Sequence, residues 1–202
     1  MVPIFQIGLR DLIEEAGEDY TKDILSSYYC PHNKDVEMFL HEKAIEFAKR
    51  RFSSTYLVFI SYKKEKVLAG YYTIATKPID VLKKKISNTL AKKIRYHATY
   101  NDVSKSYTAS FGLIAQLGKN YDKGYDKLIT GDELLKLACD KVREIQIASS
   151  GKFVYLECED KEKLIQFYED NGFVVFGERK LDSEELNYFE EKYLMQLLKE
   201  LK

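Results

Sequence analysis

The chain has 202 residues, 45% hydrophobic and 13% aromatic, and its 32 basic and 32 acidic side chains leave no net charge. That composition supplies a sizeable core and excludes a disordered chain. No apolar run reaches the roughly 18 residues of a membrane span, and the N-terminal MVPIFQIGLRDLIEEAGED turns acidic too early for a secretory signal. Cys30, Cys139 and Cys158 are scattered, and His32, His41 and His97 pair with nothing at zinc spacing. A cytoplasmic protein with reduced thiols, no metal and no membrane contact is expected.

Val2–Leu9 predicts a strand and Leu9–Ala16 a short helix stopped by Gly17. Asn33 or Asp35 then caps a helix from Asp35 to about Arg51, with Val36, Phe39, Leu40, Ala44, Ile45, Phe47 and Ala48 forming its apolar stripe. STYLVFISY (Ser54–Tyr62) and VLAGYYTIAT (Val67–Thr76) flank the polar KKEK and predict a hairpin, closed by Pro78. Ile79–Ile94 reads as a Lys-rich helix with Val81, Leu82, Ile86 and Leu90 inward. Residues 95–109 lack periodicity and read as a loop.

SFGLIAQLG (Ser110–Gly118) predicts a buried strand. After the polar KNYDKGYDKLIT, a helix starts at Gly131 with Leu134, Leu135, Leu137, Ala138, Val142 and Ile145 at helical spacing. A strand leading to a helix that starts at glycine aims backbone N–H groups and the helix dipole at one spot, which favours phosphate. An ordinary crossover without a ligand has the same outline. GKFVYLECE (Gly151–Glu159) is a further strand, with Phe153, Tyr155 and Glu157 on one face. DKEKLIQFYEDNG is a short helix stopped at Asn171-Gly172, and Phe173–Leu181 returns as a strand. Leu186, Phe189, Tyr193, Leu197 and Leu201 predict an amphipathic helix over Ser183–Lys202, which either packs on its own domain or contacts a partner.

Charge is uneven. Lys77–Lys105 holds eight Lys/Arg and two Asp, and Glu157–Lys202 holds seven basic and thirteen acidic residues. The basic segment is either an anion-binding side or a solvated helix.

The order hairpin, helix, strand, central helix, strand, short helix, strand resembles the GNAT acetyltransferase superfamily. KLIQFYEDNGF (Lys163–Phe173) looks like its late helix-and-strand signature, and ITGDELLKLACDKV (Ile129–Val142) like the end of its coenzyme-A pyrophosphate loop. VLAGYYTIAT and the pattern over Tyr28–Phe59 are similar to a subgroup that includes toxin–antitoxin acetyltransferase toxins. The resemblance covers about Tyr28–Leu181. It implies an α+β fold: a mixed, mostly antiparallel central sheet flanked by helices, in one domain spanning 1–202, with the C-terminal helix as an extra. DKLITG (Asp126–Gly131) departs from the superfamily's glycine-rich loop, because only Gly131 survives in register. Fewer glycines crowd the backbone where phosphate must approach.

The resemblance implies an N-acetyltransferase that uses acetyl-CoA as co-substrate and attacks directly in a ternary complex. The coenzyme would run along Ile114, Ala115, Gln116 and Leu117, with an N–H near Leu117 as oxyanion donor. Its pyrophosphate would meet Lys127, Thr130, Gly131, Asp132 and Glu133. Tyr168 falls at the family's general-acid tyrosine, and a phenol of pKa about 10 can protonate a thiolate of pKa about 8.5 in a dry site. Glu157 either receives the amine proton or is a solvated carboxylate. The acceptor is a small-molecule or protein amine, or in the toxin-like alternative the α-amino group of aminoacyl-tRNA, which needs no strong base. A non-catalytic GNAT-like module acting through protein contacts is a third reading, and the resemblance also admits a homodimer.

Overall fold

The computed structural model describes residues 3–183, 186 and 192–202. The chain forms two compact units, Met1–Ala75 with Ala115–Ala138, and Thr76–Ile114 with Cys139–Lys202.

The first unit begins with β1 (Ile4–Gly8), α1 (Leu9–Ala16) and α2 (Glu18–Ser26). Gly17, at φ 87°, takes the left-handed turn between the two helices that a side chain would resist. The helix expected from Asp35 to Arg51 is present as α3 (Lys34–Met38), a π turn over Phe39–Lys43, and α4 (Ala44–Arg50). Asn33 is the cap, its side chain accepting the Val36 N–H at 3.1 Å. Leu9, Leu25, Leu40 and Ala44 are buried together with Leu57 and Tyr71 of the expected hairpin, β2 (Ser54–Tyr62) and β3 (Glu65–Leu82). The strand order in this unit is β1-β2-β3-β5, where β5 is Ser106–Lys119 and enters from the second unit. Gly118 of β5 has no room for a side chain: a Cβ there would lie 2.3 Å from the Tyr28 hydroxyl and 2.6 Å from Val36.

The second unit corrects three expectations. Ile79–Ile94 is not one helix. Strand β3 runs on to Leu82, a single 3-10 turn covers Lys83–Lys85, and only α5 (Asn88–Ile94) is helical, capped by Ser87, whose hydroxyl accepts the Leu90 N–H. Ile79 and Val81 are buried while Asp80 and Leu82 are exposed, which is the two-residue period of a strand. Residues 95–109 are not a plain loop. They contain β4 (Thr99–Asn101) and the start of β5, joined by a turn in which the Asn101 side chain accepts the N–H groups of Val103 and Ser104.

The third correction is the C-terminal helix. Residues 184, 185 and 187–191 of that stretch lie outside the described residues, but Tyr193–Glu200 is a strand, β8. It lies between β6 (Phe153–Glu159) and β7 (Val174–Lys180), antiparallel to both, in the order β3-β5-β6-β8-β7. Its buried residues, Leu194, Leu197 and Leu198, fit helical spacing, and that misleads the sequence reading. A strand paired on both edges can bury either face, so alternation fades. The central helix α6 (Gly131–Ser149) and the short α7 (Glu162–Asp170) stand as expected, and Gly172 at φ 81° follows α7.

Candidate functional site

At the start of α6, Thr130 and Glu133 form a reciprocal capping box. The Thr130 N–H and hydroxyl both donate to the Glu133 carboxylate, at 2.8 and 2.9 Å, and the Glu133 N–H donates to the Thr130 hydroxyl at 3.1 Å. Those two donors hold the Glu133 carboxyl below its usual range. The protein's own anion therefore sits where Thr130 and Glu133 were expected to meet phosphate. Gly131 and Asp132 take no part in the box.

The loop before α6 replaces glycines with its own turns. It is a 3-10 stretch over Asp122–Lys127, with Lys123 and Gly124 at positive φ, and Lys127 is exposed on it. Asn120, fully buried, fastens its first residues. Its carboxamide oxygen accepts the N–H groups of Tyr29 and Asp122, its amide donates to the carbonyls of Ser27 and Leu68, and its backbone N–H donates to Ala69. The ammonium group of Lys119 donates to the Asp126 carbonyl at 3.1 Å.

Along β5, the parallel ladder to β6 covers Gly112–Ile114 against Val154–Leu156, while β5 itself continues to Lys119. Ile114 is buried and belongs to that ladder, so the stretch beyond it starts at Ala115. Ala115 is exposed, and Gln116 and Leu117 are half-buried. The Gln116 amide donates to the Asp35 carboxylate at 2.8 Å. Asp35, far away in the chain and one of the two expected caps, thus supplies a carboxylate beside this strand. Once Asn33 caps α3, the Asp35 side chain is released from that duty.

Tyr168 and Glu157 belong to the second unit. Tyr168 is the buried residue of α7, only 8% exposed, with its ring edge-on to Phe167 and Phe173. Burial pushes its phenol well above the usual range, and nearby Cys158 and Cys139 add to the effect. The same surroundings push the Cys158 thiol up to about 12, burial being the main cause, with Glu159 and Asp160 contributing. Glu157 is not a solvated carboxylate: one oxygen accepts from Arg179 Nε and the other from Gln196, both at 2.8 Å. Among the described residues no cluster of His, Cys, Asp or Glu could hold a metal, and no helix is long and apolar enough to cross a membrane.

No protein-family model and no curated protein matches the sequence. Solved structures do. AtaT complexed with acetyl-methionyl-tRNAfMet aligns with a TM-score of 0.61 at 15% identity, covering 96% of this chain and 94% of that one. A Tyr-to-Phe mutant of KacT gives 0.60 at 16%, covering 95% and 93%. A Tyr-to-Phe mutant of the AtaT toxin, bound to the C-terminus of the antitoxin AtaR and acetyl-CoA, gives 0.54 at 14%, covering 96% and 92%. The chain has the GNAT fold. Identities this low carry the fold alone. β5, the loop and α6 follow one another in the order strand, loop, helix.

Proposed function

We propose that the protein is an N-acetyltransferase that moves the acetyl group of acetyl-CoA to a primary amine by direct attack. The observation that carries this reading is the stretch Ala115–Leu117, which runs past its ladder and leads through the loop to the start of α6, in a fold shared with a toxin solved with acetyl-CoA. The coenzyme's amide-containing arm adds to Ala115–Leu117 as a further strand would. The Leu117 N–H donates to the carbonyl oxygen as charge develops there, a contribution of about 10²–10³ in rate. Because the capping box claims Thr130 and Glu133, the pyrophosphate is assigned to Gly131, Asp132 and the Lys127 ammonium group.

The amine nitrogen bonds to the acyl carbon, the C–S bond breaks, and the thiolate takes a proton. Tyr168 is the assigned donor, kept protonated by its burial. A raised phenol is a weaker acid, but a thiolate in dry surroundings rises too, as Cys158 illustrates, so the mismatch stays modest. Glu157, with both oxygens engaged, receives no proton-accepting role. The amine's proton leaves to water, which suffices for an α-amino group of pKa about 8.

Aminoacyl-tRNA is the acceptor that a second observation favours. Lys83, Lys84, Lys85, Lys92 and Arg95 are exposed, Lys93 among them pairs with Glu200, and the aligned AtaT was solved with an acetylated methionyl-tRNA. Phosphate contacts of this kind make binding fall steeply with salt. The test is a thiol-release assay with acetyl-CoA against simple amines, amino-acid esters and aminoacyl-tRNA at graded salt. Release that depends on an amine supports the assignment. Release with none of these acceptors contradicts it.

A further inference from the structure

Asp35 and Glu37, both half-buried on α3, have no cation partner among the described residues, and they differ in what they accept: Glu37 takes the backbone N–H of Cys30. Glu157 is paired with Arg179, and the partly exposed Glu18 with Lys22 and Lys49. Asp35, half-buried on α3, has no Lys or Arg within ion-pair distance among the described residues; its hydrogen-bonding partner is the neutral Gln116 amide. Taking a carboxylate partly out of water without a cation is costly, and such a charge is usually matched by a positive one. The nearby Tyr71 hydroxyl, a neutral donor, gives its hydrogen to the Val36 carbonyl instead.

The bond to Gln116 also fixes which way the carboxamide faces. A carboxylate accepts, so the Gln116 NH₂ and not its Oε1 makes the bond to Asp35, which leaves Oε1 as an acceptor. Two acceptor oxygens remain, Oδ1 of Asp35 and Oε1 of Gln116, on a side chain set between Ala115 and Leu117. A group that satisfies both needs at least two N–H donors and, to match the charge, a positive form.

We propose that Asp35 and Gln116 form the receptor for the acceptor's amino group, binding it as a primary ammonium and holding it by two N–H bonds once it has lost a proton. The placement against the transferring acetyl group rests on the acetyltransferase reading; the ammonium binding does not. A neutral primary amine has two hydrogens and one lone pair. With the hydrogens on Oδ1 and Oε1, the lone pair is free to attack the acyl carbon. A secondary amine fills only one acceptor, so the pair selects primary amines. The carboxylate and the carboxamide oxygen serve by accepting N–H bonds, and the ammonium's proton departs to water, which suffices for an α-amino group of pKa about 8. Asp35 and Gln116 are therefore positioning residues.

The test is an NMR titration of the intact protein, following the Gln116 side-chain NH₂ signal with methylammonium chloride and, in parallel, tetramethylammonium chloride. The signal should shift saturably with the first salt and not with the second, which has the charge but no N–H. The methylammonium shift should vanish in Asp35→Asn, whose melting temperature confirms folding. Equal responses to both salts, or none to methylammonium, overturn the proposal whatever the acetyl-transfer assay gives. In that assay, Asp35→Asn should raise KM for a primary amine by about tenfold or more, the size of a lost charge-assisted hydrogen bond. KM for acetyl-CoA should stay within about twofold, and Asp35→Glu should recover part of the loss. An unchanged amine KM in folded Asp35→Asn also overturns it. If no amine releases thiol while the Gln116 shift persists, the acetyltransferase reading falls and the ammonium site stands.

Discussion

Glu157 on β6 and Asp35 on α3 are both half-buried carboxylates that accept a glutamine amide, and they differ in one partner. Glu157 also has Arg179, and its side chain is only 12% exposed, so charge and lone pairs are spent inside the protein. Among the described residues Asp35 has no such cation and keeps one oxygen uncommitted. A carboxylate that is fully paired holds a sheet together, whereas one left half-paired can hold something else. Glu133 is a third case, with its charge turned onto the helix end that was expected to take phosphate.

The largest effect should come from removing the buried amide that fastens the loop before α6. Asn120→Leu leaves the backbone groups of Ser27, Tyr29, Leu68 and Asp122 without their partner. At about 1–3 kcal/mol for each unsatisfied buried group, stability in urea should fall by about 3 kcal/mol or more. Tyr168→Phe separates chemistry from binding. It should lower kcat about 10²-fold while the dissociation constant for acetyl-CoA stays nearly constant. Full activity would remove Tyr168 from the mechanism.

Glu157→Gln breaks the fully paired case. Removing the charge that Glu157 brings to its pair with Arg179 should lower stability by about 2 kcal/mol, yet KM for the amine should not change, the opposite of what is expected for Asp35→Asn. If Glu157→Gln raises the amine KM and Asp35→Asn does not, the two roles are reversed. The smallest effect belongs to Glu133→Gln, which keeps the capping-box geometry and removes a negative charge beside the assigned phosphate position. Acetyl-CoA should bind a few-fold more tightly, read by calorimetry, and looser binding would mean that the carboxylate helps rather than competes.

Most of the fold was legible because most elements have a clear period or a stop signal. Asn171-Gly172 ended α7, and KKEK marked the β2–β3 hairpin. The misreadings share a cause in tertiary context. Leu194, Leu197 and Leu198 mimic a helix because β8 is paired on both edges, and Ile79 and Val81 blur into the lysines that follow them. Of the site, the strand, the loop and α6 were visible from Gly131 and the apolar run before it. The Thr130–Glu133 box was written locally as Thr-x-x-Glu but was read only for its N–H groups. Asp35 and Asn120 were invisible, because each acquires its meaning from residues far along the chain, Gln116 for one and Ser27, Tyr29 and Leu68 for the other.

The measurement that bears most directly on the central claim is a calorimetric titration of acetyl-CoA into the wild-type protein. The account predicts saturable binding of one equivalent with a dissociation constant below about 1 mM, the upper end of ordinary enzyme–substrate values. No heat and no rise in melting temperature at millimolar acetyl-CoA would contradict it.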